Sequence, residues 1–232
     1  MDLIIEGVVR AFQLLIRGDP EVLGVTFLSL SLSLSATAIS LFIGVTLGTV
    51  VALTRFWGRS LLISMINTGM GSPPVVVGLL VTILLWRNGP LGLLHLLYTP
   101  AAIVIAQCII SLPIITGFTM ASIQQVDPKL RLQILALGAS HLQLIWLLLK
   151  ETRLPLLAAV MAGFGAVISE VGAAMMVGGN ITGQTRVLTT AIVMETGKGD
   201  FGLAIALSII LMAMVFLVNL ALTIIQQRSK LR

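Results

Sequence analysis

The chain has 232 residues, of which 57% are hydrophobic and only 10% charged, with a formal net charge of +5. Soluble domains carry roughly 25% charged residues, so a soluble enzyme or a nucleic-acid-binding domain is excluded, and the basic excess must serve another purpose. The single cysteine, Cys108, forms no intrachain disulfide and reads as a small buried hydrophobe; no Cys/His pair has metal-ligand spacing.

The chain opens Met1-Asp2-Leu3 without a positive stretch, so a cleaved signal peptide is not expected. Over 1–21, Leu3, Ile4, Ile5, Val8, Val9, Phe12, Leu14, Leu15 and Ile16 alternate with Glu6, Arg10 and Arg17. This predicts a short amphipathic helix on the outer membrane surface; the alternative is an extension of the first span. Gly18-Asp19-Pro20 ends it, because proline cannot continue a helix. Residues 22–232 then read as one transmembrane domain with five apolar runs long enough to cross a bilayer: 22–53, 61–85, 101–123, 155–177 and 201–225. The fold class is all-α and membrane-integral. Ser29, Ser31, Ser33 and Ser35 alternate with leucine, but a lone strand cannot sit in lipid, so these serines bond to neighbouring helices or line a path.

Five crossings put the termini on opposite faces. One face receives Arg55, Arg59, Lys129, Arg131, Lys150, Arg153, Arg228, Lys230 and Arg232; the other receives Arg10, Arg17, Arg87, Arg186 and Lys198. Nine against five makes the first face cytoplasmic, the C-terminus inside and the N-terminus outside.

In the second run, Pro73-Pro74 breaks a span where lipid offers no partners, so freed carbonyls face protein or a water-filled path; Ser72 and Gly78 allow close approach. The third run contains Cys108. After it, residues 124–153 form the largest cytoplasmic segment. Asp127-Pro128 supplies an N-cap and a first-turn proline. Leu130, Ile134, Leu137 and His141 then fall at i, i+4, i+7 and i+11, an apolar stripe suited to a groove in a partner protein. Gly138 permits a turn, and 141–149 runs on as a second helix.

The fourth run carries Gly165 and Gly172, seven apart and expected on one helix face for tight packing, and Glu170, the only acid well inside a span. A carboxylate repels an anionic substrate, so its expected role is a structural hydrogen bond near a gate. Met175 and Met176 beside it are adaptable packing or gate residues. The external segment 179–200 has helical periodicity over 185–196, with Arg186 and Lys198 as an electropositive rim. His95 and His141 stand on opposite faces and form neither a catalytic pair nor a metal site.

Several motifs resemble the permease subunits of binding-protein-dependent ABC importers. Gly138-Ala139-Ser140 and Leu154-Pro155 match their cytoplasmic signature, although Leu132-Gln133-Ile134 replaces the usual Glu-Ala-Ala and the Leu-Pro lies about one helical turn further on. Ser72-Pro73-Pro74-Val75-Val76-Val77-Gly78-Leu79 and the stretch from Ile168-Ser169-Glu170-Val171-Gly172 to Asn180-Ile181 are similar to molybdate/tungstate-type permeases. Thr185–Ile192 and Glu195–Phe201 look most like the tungstate branch.

The resemblance implies a type I permease fold and import of a tetrahedral oxyanion, tungstate or molybdate, by alternating access. It also implies a homodimer bound to two ATPase subunits, with ATP and Mg on those partners and no cofactor on this chain, and an extracytoplasmic oxyanion-binding protein. The insert would be the coupling helix, with Leu130, Ile134, Leu137, Gly138, Ala139, Ser140 and His141 at the ATPase. Ser72, Pro73, Pro74, Ser169, Glu170, Met175 and Met176 would line or gate the path. Arg186, Thr189, Thr190 and Lys198 would receive the delivery protein. The chain lacks Gly-x-x-x-x-Gly-Lys-Ser/Thr and hydrolyses no ATP itself. An ion-coupled carrier is the competing reading, though it wants paired intramembrane charges; sulfate is the competing substrate.

Overall fold

A computed structural model of the protein describes residues 2–230, and the regular structure among them is helical throughout. Helix α1 (Asp2–Arg17) is followed by α2 (Pro20–Leu53), where Pro20 takes the first position and the Asp19 carboxylate accepts from the N–H groups of Glu21 and Val22. Then come α3 (Arg59–Met70), α4 (Pro74–Leu85), α5 (Pro100–Gln124), α6 (Pro128–Ala136) and α7 (His141–Glu151). The chain ends with α8 (Arg153–Ile168), α9 (Gly172–Gly178), α10 (Leu188–Lys198) and α11 (Phe201–Lys230).

Three helices, α2, α5 and α11, are each long and apolar enough to cross a membrane. The other two expected spans are broken. Helices α3 and α4 meet at 106°, and α8 and α9 at 58°. At 12 residues each, α3 and α4 are about 18 Å long, each short of the roughly 30 Å hydrocarbon core, so the bent pair is either one broken span or a re-entrant loop. The first break has a covalent cause, since Pro73 and Pro74 carry no N–H to continue a ladder. The second has no proline. There the Glu170 side chain replaces the lost backbone acceptors.

Helices α2 and α5 form the tightest pair. A Cβ on Gly48 would stand 2.7 Å from the Thr116 carbonyl oxygen, and one on Gly44 3.0 Å from Ile115 Cγ2. This is the small-x-x-x-small contact that lets transmembrane backbones approach. Ser40 Oγ and Ser111 Oγ share a 2.6 Å hydrogen bond across the pair. A second apolar cluster joins Val22 and Val25 of α2 to Phe164 and Ile168 of α8, Leu188 and Ala191 of α10, and Leu207 and Ile210 of α11. Large apolar residues such as Phe27, Phe42 and Phe216 remain exposed, as a lipid-facing surface requires.

Two sequence expectations change here. Gly165 and Gly172 do not share a helix face, because the break at Ser169–Val171 falls between them. Gly172 opens α9 against Val75, while a side chain at Gly165 would meet nothing within 4 Å. The N-terminal helix does form, but it is not free-standing. Gly7 packs on Ile205 and Arg10 pairs with Asp200 at 2.9 Å, which sets α1 antiparallel against the first turns of α11.

Two basic residues double as caps. Arg59 Nε donates to the Val51 carbonyl at 2.9 Å, and Arg131 Nη2 donates to the Ile123 carbonyl. Both satisfy acceptors at the C-terminal ends of long helices, where cations are favoured.

Candidate functional site

The two helix breaks meet. A Cβ on Gly78 of α4 would lie 2.6 Å from Ala173 Cα of α9, and one on Gly172 2.6 Å from Val75 Cγ2. Only hydrogen at these positions allows α4 to pack on α9. Beside the contact, Pro73, Pro74, Ser169 and Met175 stay exposed, Ser72 and Met176 are half-buried, and Glu170 is buried. The sequence-predicted gate residues are therefore brought together, with Glu170 behind the exposed edge.

Glu170 has a defined task. Its Oε1 accepts from Ala173 N–H at 2.6 Å and its Oε2 from Ala174 N–H at 2.9 Å, so both oxygens cap α9. Its own carbonyl accepts from Thr189 Oγ1 at 2.8 Å. From the other side Gln107 Nε2 donates to the Val167 carbonyl, in the last turn of α8, at 3.2 Å. The void beside these groups holds about 10 Å³, roughly one water and too small for a tetrahedral oxyanion. Gln107 is a functional-site residue that the sequence reading passed over. Its signal is a lone amide within the apolar run Ala106-Gln107-Cys108.

Thr189 and Thr190, expected to receive a delivery protein, face inward. Both are buried: Thr189 bonds Glu170, while Thr190 Oγ1 accepts from Val187 N–H and donates to the Val187 carbonyl. Ser29 Oγ of α2 accepts from Leu188 N–H at 2.7 Å, so α10 is fastened to both the α8–α9 break and α2. The expected electropositive rim is also absent as such. Arg186 Nη1 pairs with Glu21 at 3.1 Å and Lys198 with Glu195 at 2.8 Å, which cancels the charge near the surface.

At the opposite end, Asp127 and Pro128 start α6 as expected, with the Asp127 carboxylate accepting from Lys129 N–H. The helix stops at Leu137. Gly138 takes φ +81°; its N–H donates to the Leu135 carbonyl and Ala139 N–H to the Ile134 carbonyl, a Schellman closure. Ser140 then caps α7 in a reciprocal box with Gln143. Gly-Ala-Ser is thus the corner between two helices, and the proposed i+11 place of His141 on the α6 stripe is lost because His141 opens the next helix. Ile134 turns inward onto a cluster of Ile123, Leu144 and Leu148, and Leu130 is half-buried. The exposed apolar face is instead Leu132, Leu135 and Leu137, continued by Leu142 and Trp146 of α7; Leu137 is 88% exposed. Of the stripe that spacing selected, Leu130 and Ile134 are half-buried while Leu137 and His141 are exposed.

The sequence and fold are similar to those of known proteins. The family profile described as "binding-protein-dependent transport system inner membrane component" matches residues 44–231. The chain belongs to this family. A tungstate uptake system permease protein of Peptoclostridium acidaminophilum is 39% identical over 98% of this chain and 100% of its own length. A Haloferax volcanii protein described as a probable anion ABC transporter permease is 41% identical over 84% of this chain and 86% of its own. A crystal structure of an amino acid ABC transporter with histidines superposes with a TM-score of 0.69 over 94% of this chain and 98% of that one, at 19% identity. That likeness establishes the type I permease fold. The family's work is transport across a membrane, not catalysis, and it does not favour an ion-coupled carrier.

Proposed function

We propose that the protein is the membrane-spanning subunit of an ATP-driven importer that passes a tetrahedral oxyanion, tungstate before molybdate, into the cytoplasm. The observation that carries this reading is the full-length likeness to a tungstate uptake permease, together with a break at each of the two motifs that resemble molybdate/tungstate-type permeases. A second copy of the chain completes the pathway, lined by the exposed edge of Ser72, Pro73, Pro74, Ser169, Met175 and Met176. Glu170 holds α9 from behind and touches no substrate, consistent with the one-water void around it.

The termini follow the basic-residue count, N-terminus outside and C-terminus inside; α1 then sits at the outer face. The insert docks into each of two ATPase subunits, which hold ATP and Mg. Docking uses the corner Leu137, Gly138, Ala139, Ser140 and His141 and the exposed Leu132, Leu135, Leu142 and Trp146. Ile134 and Leu130 tie the insert to its own span. A separate oxyanion-binding protein delivers to the face that carries α10. When the ATPase dimer closes, each insert moves with its apolar cluster and the two permease copies rock as rigid bodies.

ATPase stimulation in proteoliposomes tests the assignment, with the permease, its ATPase and its binding protein present and tungstate, molybdate or sulfate supplied in turn. Stimulation by tungstate at far lower concentration than molybdate is expected. A stable complex that no oxyanion stimulates would overturn the substrate and leave the family standing.

A further inference from the structure

A cleft of about 370 Å³ lies between α1, α2, α10 and α11 on the face opposite the insert. It is at the small end of ligand sites, and its lining is divided by height. The rim carries three cations, Arg10, Arg186 and Lys198, and three acids, Asp19, Glu21 and Glu195. The floor is apolar: Leu14, Val22, Val25, Leu203 and Leu207.

Position fixes the depth. Both α2 and α11 begin at this face, at Pro20 and Phe201. Val22, Val25, Leu203 and Leu207 are therefore in their first two turns, and Leu14 is in the last turn of α1. From Val22 to Val25, or Leu203 to Leu207, the floor descends about 4.5–6 Å at 1.5 Å per residue. An apolar floor beneath charged side chains suits an amphipathic ligand whose polar end stays among the charges.

Charge narrows the ligand. A dianion in the cleft would face the Glu21 and Glu195 carboxylates at contact range, which is repulsive. A purely cationic group would face the three basic side chains. Each rim cation already has a carboxylate partner, Arg10–Asp200, Arg186–Glu21 and Lys198–Glu195, and such charge pairs suit a group that carries both signs. Arg186 also retains a buried Nε–H without a partner, a donor for a phosphate oxygen. We infer that the cleft holds the headgroup of a zwitterionic phospholipid, its phosphate among Arg10, Arg186 and Lys198 and its ammonium toward Glu21 and Glu195. Such a lipid would brace α1 and α10 against the spans.

The test is native mass spectrometry of the assembled permease–ATPase complex released from membranes with equal phosphatidylethanolamine and phosphatidylglycerol. The intact protein should retain phosphatidylethanolamine by about tenfold, equivalent to 1.4 kcal/mol. The rim variant Lys198→Gln, at an exposed position, and the pair Glu21→Gln with Arg186→Gln should each reduce that preference; Leu207→Trp, which fills the floor, should abolish retention. Equal retention of both lipids by the intact protein overturns the inference. So does displacement by inorganic phosphate, which would mark a free-anion site. Loss of binding-protein affinity in the rim variants with lipid retention unchanged would also overturn it, by making the cleft a protein-docking pocket.

Discussion

Replacing Glu170 separates a dry structural cap from a solvated pathway group. Glu170→Ala removes the acceptors of two buried backbone N–H groups, those of Ala173 and Ala174 at 2.6 and 2.9 Å. A buried group left unsatisfied costs about 1–3 kcal/mol, so the pair predicts a loss of about 2–6 kcal/mol. Glu170→Gln keeps one acceptor oxygen but turns an NH2 donor toward the other N–H, predicting a loss of about 1–3 kcal/mol. Were the break open to water, the freed N–H groups would bond water instead and the unsatisfied-group penalty would vanish. Denaturant unfolding of the purified permease in lipid bicelles, read by tryptophan fluorescence, measures the difference. The expected order is wild type, then Gln, then Ala. A loss below about 1 kcal/mol for Glu170→Ala, or equal stability of all three proteins, would refute the capping argument and return Glu170 to the pathway.

Gly78→Val should cost stability and stop transport, because its Cβ would stand 2.6 Å from backbone at Ala173 and overpacking costs about 1–3 kcal/mol; unfolding and uptake assays report both. Gly138→Ala meets no atom of its own chain within 4 Å but forces φ +81° on a side chain, about 1–2 kcal/mol. The isolated permease should stay folded while ATPase co-purification falls more than that strain accounts for. Arg131→Gln should leave the complex assembled but weaken oxyanion-stimulated hydrolysis, since the insert loses its charged bond to the Ile123 carbonyl, with partial rescue in Arg131→Lys. At the other face, the Leu203 N–H and then Arg10 hold the Asp200 carboxyl below its usual 3.8. A depressed folded-state value stabilises above the unfolded value and is lost as pH falls through the folded one. Probe pairs on α1 and α11 should therefore separate only in acid below the ordinary carboxylate range, and Arg10→Gln should move that step to higher pH.

Much of the site was readable because its chemistry is local. Asp127-Pro128 starts a helix, Gly138 stops one and Pro73-Pro74 breaks one through bonds within a few residues of each. Glu170 was legible as an isolated intramembrane acid, and its expected hydrogen bond to backbone is what the fold contains. Gln107 and Arg131 were not legible, because their partners are Val167 and Ile123; Ser29 was expected to bond a neighbouring helix, but only packing brings its partner Leu188 near. The burial of Thr189 and Thr190 was hidden for a related reason. A threonine in an external segment reads as exposed until the helix that carries it is seen pressed against α2 and the α8–α9 break.

By itself, the amino-acid sequence determined that this chain lives in a bilayer, how many apolar runs it has, where helices start and stop, and which transport family its motifs resemble. Those properties follow from side-chain transfer energies and from backbone rules acting over one or two turns. Tertiary structure alone decided which face of α6 is covered, where the fourth run breaks, and that Arg186 is neutralised by the distant Glu21, whereas Lys198–Glu195 is a local i,i+3 pair on α10. Periodicity marks an apolar stripe but not the surface that will bury it, and ion pairs depend on distances that sequence separation does not encode. The charge balance of the outer cleft is the clearest case: fourteen basic residues and nine acids give the total, and folding alone sets three against three around one cavity.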